Sequence, residues 1–441
     1  MLPIWNLNDP TGREKVAERI KRLRLNPADL ALSRGALAEK EAVVRATIAD
    51  VAARGDAAIV ELSRQFDDPQ FSADQIRVTT QEMAAAAGRV SPEITSALRR
   101  SIAQLTEYQR HIMPSDPPDL IRSGVRLGMR FTPMDSAGCY FPGGKAAYPS
   151  SLIHLAVPAI VAGVGKVAVC TPPSKYGKSD VVLAACHELK LTHVYRAGGA
   201  AAIAAMAFGT QTIPAVDKIV GPGNDYVQLA KRAVAGGVGI DGYLGPSEIL
   251  VIADETGEPA FIAADLIAQA EHDPGSCFLL TASSELAGRV IEQIAAQLVA
   301  RNRRAAIEKS LESESAIIVS NSMENLLEVA NQLAAEHVNL QCKDNDAVLR
   351  QLKHAGAVFF GPWSAVAAGD YVAGPSHCLP TNTTARFSSG VSVYEFLKRS
   401  SIVRYEANGL TADADAVIAL ANEEHLDGHA ASVAQRRINP A

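Results

Sequence analysis

From residue 138 to 247, short β-branched apolar runs alternate with segments whose apolar residues recur every three or four positions. That alternation predicts helix over 150–163, strand over 166–171, helix over 180–189, strand over 193–196, helix over 200–209, strand over 218–220 and helix over 225–235. A second alternation starts at Glu248: strand 249–253, helix 260–271, strand 277–281, helix 284–299, strand 316–320, helix 323–336 and strand 357–361. Strands that are apolar on both faces and separated by helices belong to mainly parallel sheets covered on both sides.

The flanks read differently. Residues 1–33 are charged and amphipathic, with Asp9-Pro10-Thr11 opening a helix, and predict an N-terminal helical arm. Residues 37–113 read as helical apart from a short strand near 76–78, and a strand is predicted over 125–132. From about Val391 the chain is read as a helical C-terminal tail. The fold class expected is α/β, with two Rossmann-like parallel-sheet units between that arm and that tail. The units are expected to comprise 34–137 with 248–390, and 138–247 on the cofactor side, with 391–441 as the tail.

Composition narrows the function. A chain of 441 residues exceeds one hydrophobic core. A net charge of -6 offers no basic field for a phosphate backbone, so nucleic acid is not expected as a partner. The six cysteines are scattered without a Cys-x-x-Cys pair, as buried thiols in a reducing compartment would be. Met1 to Asn6 has neither a basic nor a long apolar segment, and the most apolar stretch, 152–170, is broken by His154, Pro158 and Lys166. A cytoplasmic protein with no membrane span is expected.

Several polar clusters interrupt this apolar framework. Glu336-His337 sits where helix gives way to the β-rich run Val338 to Cys342, a carboxylate beside an imidazole able to relay a proton. Gln269 and His272 lie three apart on one helical face, half of a metal site by type and spacing, although Asp273-Pro274 would also end a plain helix there. Asp370 and His377 fall in a loop rich in glycine and proline. Glu424, His425 and His429 share a late helix, and spacing does not choose between the two histidines. Gly198-Gly199-Ala200 and Gly221-Pro222-Gly223-Asn224 each join a strand to a helix and present backbone N–H groups to a phosphate, or simply turn tightly. Pro142-Gly143-Gly144-Lys145 is no Walker loop, because Cys139 and Ala146 stand where glycine and Ser/Thr are required.

Taken together, Tyr140-Phe141-Pro142-Gly143-Gly144, Gly221 to Asn224, Gly245-Pro246-Ser247-Glu248, Gln269 to His272, Glu336-His337, Gly369-Asp370-Tyr371, His377 to Thr381, Ala385 to Gly390 and Glu424 to His429 resemble the histidinol dehydrogenase family, in matching order from about Leu37 to Arg437. The resemblance implies one Zn2+ per subunit on Gln269, His272, Asp370 and His429, the last given by a homodimer partner, and so selects His429 over His425. It implies Glu336 and His337 as the catalytic acid–base pair. Substrate contacts are implied from Ser247, Gln269, His272, His337, Asp370, His377, Glu424 and His429, and NAD contacts from Tyr140, Asn224 and the position of Ala201.

The activity implied is oxidation of L-histidinol through L-histidinal to L-histidine with two NAD, in histidine biosynthesis. This chain departs from the family's usual pattern at Ala201, where glutamine is usual, at Gly242-Tyr243-Leu244, and at Leu155, where asparagine is common. The departures at Ala201 and Gly242-Tyr243-Leu244 motivate a second reading, a paralogue oxidising another small polar alcohol; a third, of a different class, is a non-catalytic zinc-binding homologue, which would have no need of both Glu336 and His337.

Overall fold

A computed structural model describes residues 2–32, 34–35, 37–144, 146–242, 245–272 and 275–438. Two six-stranded sheets and one three-stranded antiparallel sheet carry the strands. The first sheet runs, in spatial order, Arg77–Val78, His193–Arg196, Lys166–Thr171, Ser136–Tyr140, Lys218–Val220, Gly239–Ile240. It is parallel except at the Arg77–Val78 edge. Its parallel strands start at the central Ser136–Tyr140, move outward on one side and then restart on the other. That puts a topological switch point at the carboxyl end of Ser136–Tyr140, where open α/β sheets bind ligands.

The second sheet repeats the plan: Ile4–Asn6, Ala316–Val319, Ser276–Thr281, Glu248–Ala253, His337–Gln341, Ala357–Phe360, all parallel. Every residue of Glu248–Ala253 and Ser276–Thr281 is buried, because helices cover both faces. Alternation divides them between two cores, with Ile249, Val251 and Leu279 on one side and Leu250, Ile252 and Leu280 on the other. Both predicted parallel-sheet units are therefore present.

Several expectations need correcting. The 1–33 segment is more than an arm, since Ile4–Asn6 pairs with Ala316–Val319 as an edge strand of the second sheet before Asp9 caps the helix Pro10–Leu23. Residues 34–137 do not group with 248–390. Helix Leu37–Arg54 packs on Gly199–Phe208, Thr80–Ala87 on Asp180–Glu188, and Pro92–His111 on Pro149–Ala162, all in the first unit. Their apolar faces fill that unit's two cores. Finally, the tail from 391 is not wholly helical: Leu397–Tyr405 is a strand paired along its whole length with Val125–Pro133. The helices Ala407–Glu423 and Asp427–Ile438 follow and pack on each other, so Glu424 and His425, at the break between them, do not share a helix with His429 as expected. No helix among the described residues is long and apolar enough to cross a membrane.

Candidate functional site

The site lies where the two units meet, at the amino edge of the second sheet. Helix Met323–Leu333 stops earlier than predicted, because Ala334 takes a left-handed conformation (φ 45°) and caps it. The chain bends at Glu336, and His337 begins the strand His337–Gln341. Strand register places His337 opposite Ile249, one residue after Glu248.

His337 is 4% exposed. Its Nδ1 lies 3.1 Å from the Glu248 carbonyl oxygen, which only accepts, so Nδ1 carries a proton in either charge state and Nε2 is the nitrogen that gains and loses one. Glu336 Oε2 is 3.5 Å from Nδ1 and accepts the Glu248 N–H at 2.9 Å. Nε2 faces Asp370 Oδ1 at 3.7 Å. Burial disfavours the charged imidazole, but Glu336, Asp370 and the Glu248 carbonyl outweigh it and push its pKa up to about 9.

Asp370 sits on the short helix Val366–Tyr371, half-buried. Its Oδ1 is 3.8 Å from His377 Nδ1, and its carbonyl oxygen accepts that nitrogen's proton at 2.9 Å. His377 Nε2 reaches Ser151 Oγ at 3.2 Å, across to the first unit. Burial pulls the His377 pKa down against the pull of Asp370. Gln269 occupies the last turn of Pro259–Ala270, a helix that packs against Val366–Tyr371. Its side-chain amide nitrogen is buried without a hydrogen-bond partner. His272, just beyond that helix, is exposed. Tyr371's phenol is pushed up by burial and then by the carboxylates of Asp370 and Glu271, which places the 269–272 turn beside the 370 loop.

These residues fit a divalent cation. Among the described residues Asp370 is paired with no lysine or arginine, only with two imidazoles, and a buried orphan amide is a group a ligand would satisfy. Mixed nitrogen and oxygen donors suit zinc. One chain alone falls short of a full set: among the described residues no three His, Cys, Asp or Glu converge on a metal position. Glu424 and His429 are not brought to this site within the chain. Both are exposed, and among the described residues neither side chain enters a hydrogen bond or ion pair.

At the first sheet's switch point, the Tyr140 hydroxyl accepts the Gly199 N–H at 3.1 Å. Asn224 caps helix Asp225–Val234 through Oδ1 to the Val227 N–H at 3.2 Å, leaving its Nδ2 for a ligand. Gly221 has φ 132° and approaches so closely that a Cβ would lie 1.8 Å from the Tyr140 carbonyl oxygen. A buried Lys231–Asp241 ion pair grips this turn: Asp241 accepts the Gly221 N–H at 2.7 Å and Lys231 donates to its carbonyl at 2.9 Å. Ala201 lies in the apolar core of helix Gly199–Phe208, and its methyl offers no hydrogen bond. Ser247 is half-buried immediately before Glu248. Tyr243 and Leu244 lie outside the described residues.

Sequence reasoning passed over Ser151, His154 and Glu248. Ser151 and His154 share a helical face three residues apart, the one signal available for them. Glu248 is buried beneath the acid–base pair, where Oε1 accepts the Asn382 N–H at 3.0 Å. Burial, opposed by that hydrogen bond and reinforced by Glu336, raises its pKa from 4.5 to about 8. The folded state then holds a proton the unfolded state has released, so stability is lost as pH rises above 4.5 and the loss is complete above about 8. Glu248→Gln, which keeps the acceptor oxygen, is expected to flatten that part of the stability profile in denaturant melts taken from pH 5 to 8; an unchanged slope would contradict it.

A doubly wound sheet with a braced glycine turn at its switch point, together with a buried carboxylate–imidazole pair and an unsatisfied amide, defines a two-unit α/β oxidoreductase. A sequence model of histidinol dehydrogenase matches residues 32–437. The chain is 45% identical over 404 residues to a histidinol dehydrogenase of a Synechococcus species, covering 91% of this chain and 93% of that one. It is 44% identical over 394 residues to one from Gluconobacter oxydans, covering 89% and 92%. A crystal structure of histidinol dehydrogenase from Elizabethkingia anophelis superposes with a TM-score of 0.90 at 31% identity, covering 99% and 98% of the two chains. The chain belongs to the histidinol dehydrogenase family.

Proposed function

We propose that this chain oxidises L-histidinol through L-histidinal to L-histidine, reducing two NAD, in histidine biosynthesis in the cytoplasm. The observation that carries the reading is His337: a buried imidazole whose Nδ1 proton is held by the Glu248 carbonyl, leaving Nε2 aimed at Asp370 beside Gln269. Gln269, His272 and Asp370, with His429 of the partner subunit, would hold zinc. Tyr140, Asn224 and the backbone at Ala201 would meet NAD. When bound, zinc supplies a Lewis acid that fixes the substrate's imidazole and amine and offsets the Asp370 charge next to Nε2, and NAD supplies the hydride acceptor.

The remaining work falls to the chain's own side chains. His337 Nε2 takes the hydroxyl proton as the alcohol carbon gives up hydride. The aldehyde stays enclosed between the two units, which protects it from side reactions. For the second oxidation a water must add to the aldehyde. Once His337 has released the first proton to solvent, Glu336, held by the Glu248 N–H 2.9 Å from its Oε2, stabilises the imidazolium that forms again as His337 takes the water's proton. The hydrate then gives up the second hydride and its remaining proton to leave the carboxylate. His377, fixed to the Asp370 carbonyl, and Ser247 line the substrate's path, and Glu424 of the partner subunit would meet its amine.

The test is NADH formation by purified enzyme with L-histidinol and with a panel of other small polar primary alcohols. L-histidinol should give the highest kcat/KM, and a much better alcohol in the panel would replace the assignment. Glu336→Gln should slow oxidation of supplied L-histidinal more than that of L-histidinol, measured in single turnovers. Equal loss in both steps would contradict the role given to Glu336.

A further inference from the structure

His154 is fully buried, with 0% exposure, in the apolar helix Pro149–Ala162. An imidazole there is expensive unless both ring nitrogens are used, yet Nε2 has no hydrogen bond of normal geometry among the described residues. Apart from the Tyr371 backbone close by, what the ring makes is directed at one neighbour. Its Nδ1 accepts the backbone N–H of His377 at 2.9 Å, and its face stacks on the His377 ring with centroids 4.2 Å apart and planes 19° from parallel. Its own carbonyl oxygen accepts the Ser376 hydroxyl at 3.0 Å, and Ser376 Oγ in turn accepts the Cys378 N–H at 3.1 Å. Three successive residues of the 376–378 loop therefore hang on one residue of the other unit.

We infer that His154 is a positioning residue for His377: a neutral ring, protonated at Nε2, whose Nδ1 lone pair sets the His377 backbone, the stacked face adding contact without deciding the ring's place. An N–H donor requires an unprotonated Nδ1, so this tautomer follows from the contact itself. With the backbone fixed, His377 Nδ1 is aimed at the Asp370 carbonyl and Nε2 at Ser151 and the cleft between the units. A methyl or methylene group at the same place would fill the volume but leave the His377 N–H buried and unpaired. This inference rests on the reading of His377 as a substrate contact.

Two variants separate acceptor from ring. His154→Asn retains an acceptor oxygen near the Nδ1 position and loses the stack; His154→Phe retains a stacking ring and loses the acceptor. His154→Phe should raise KM for L-histidinol about tenfold, the size expected when a buried N–H is left unpaired, with kcat changed by less than about threefold. His154→Asn should keep KM within about threefold of the unaltered enzyme. Equal KM values in the two variants, or a tenfold rise in His154→Asn, would overturn the inference.

A readout independent of turnover uses enzyme labelled with nitrogen-15 in its histidine rings, the His154 signals being assigned by their loss in His154→Asn. His154 should resonate as the neutral form protonated at Nε2, and the His377 ring as the form protonated at Nδ1. The His377 form should persist in His154→Asn and be lost in His154→Phe. A His154 ring protonated at Nδ1 would overturn the inference even if His154→Phe failed to fold. Absence of any NADH from unaltered enzyme with L-histidinol would defeat the functional reading alone, with the ring signals still deciding the role of His154.

Discussion

Replacing His337 by asparagine is expected to slow both oxidations by about 10²–10⁴-fold, the usual contribution of a positioned general base. Asparagine can still donate to the Glu248 carbonyl from near the Nδ1 position, which keeps the strand entry in place. It has nothing to offer from the Nε2 side, where the substrate proton would be taken. Zinc content and thermal unfolding should stay close to those of the unaltered protein, since His337 is not among the ligands assigned. Single turnovers started from L-histidinol and from L-histidinal measure the two steps separately. Loss confined to one of them would show that a different group serves the other.

The second large effect concerns the shared site. Asp370→Asn and His429→Ala should each lose zinc and nearly all activity, one by removing a ligand of its own site, the other by removing one from its partner's. Subunits carrying the two changes should restore activity when mixed. In a hybrid dimer, the site bearing an intact Asp370 receives an intact His429, while the other site lacks both. Random pairing makes half of the dimers hybrid with one whole site in two, so about a quarter of full activity should return. The exposure of Glu424 and His429, neither side chain having a partner among the described residues of one chain, motivates the prediction. No recovery on mixing, measured after denaturation and refolding together, would mean that each chain completes its own site.

Much of the architecture was legible because it repeats a local rule. Doubly buried strands such as Glu248–Ala253 read as apolar runs, and the helices between them carry apolar stripes. The misses share physical causes. Ile4–Asn6 spans three residues and owes its pairing to a strand more than three hundred positions away. Leu397–Tyr405 is exposed at most positions, so no alternation marks it, and it is a strand because Val125–Pro133 offers a full-length partner. Helix Met323–Leu333 was read through to Glu336 because its left-handed cap is an alanine, which gives no glycine signal. That early stop is what frees His337 to start a strand and point into the site.

The site was legible as residue types but not as an arrangement. Glu336, His337, Asp370, His377 and Gln269 do gather around one junction, a fact no spacing between residues 269 and 377 contains. His154 was hidden for the opposite reason: its helix is buried on nearly every side, so there is no polar face from which a functional residue would stand out.

The central claim is that one imidazole serves both oxidations without releasing the aldehyde. Its most direct test is the yield of NADH per L-histidinol consumed, with NAD in excess and zinc present. The account predicts two NADH and one L-histidine for each histidinol, with no free aldehyde trapped by an added amine; one NADH with aldehyde released, or none, would contradict it.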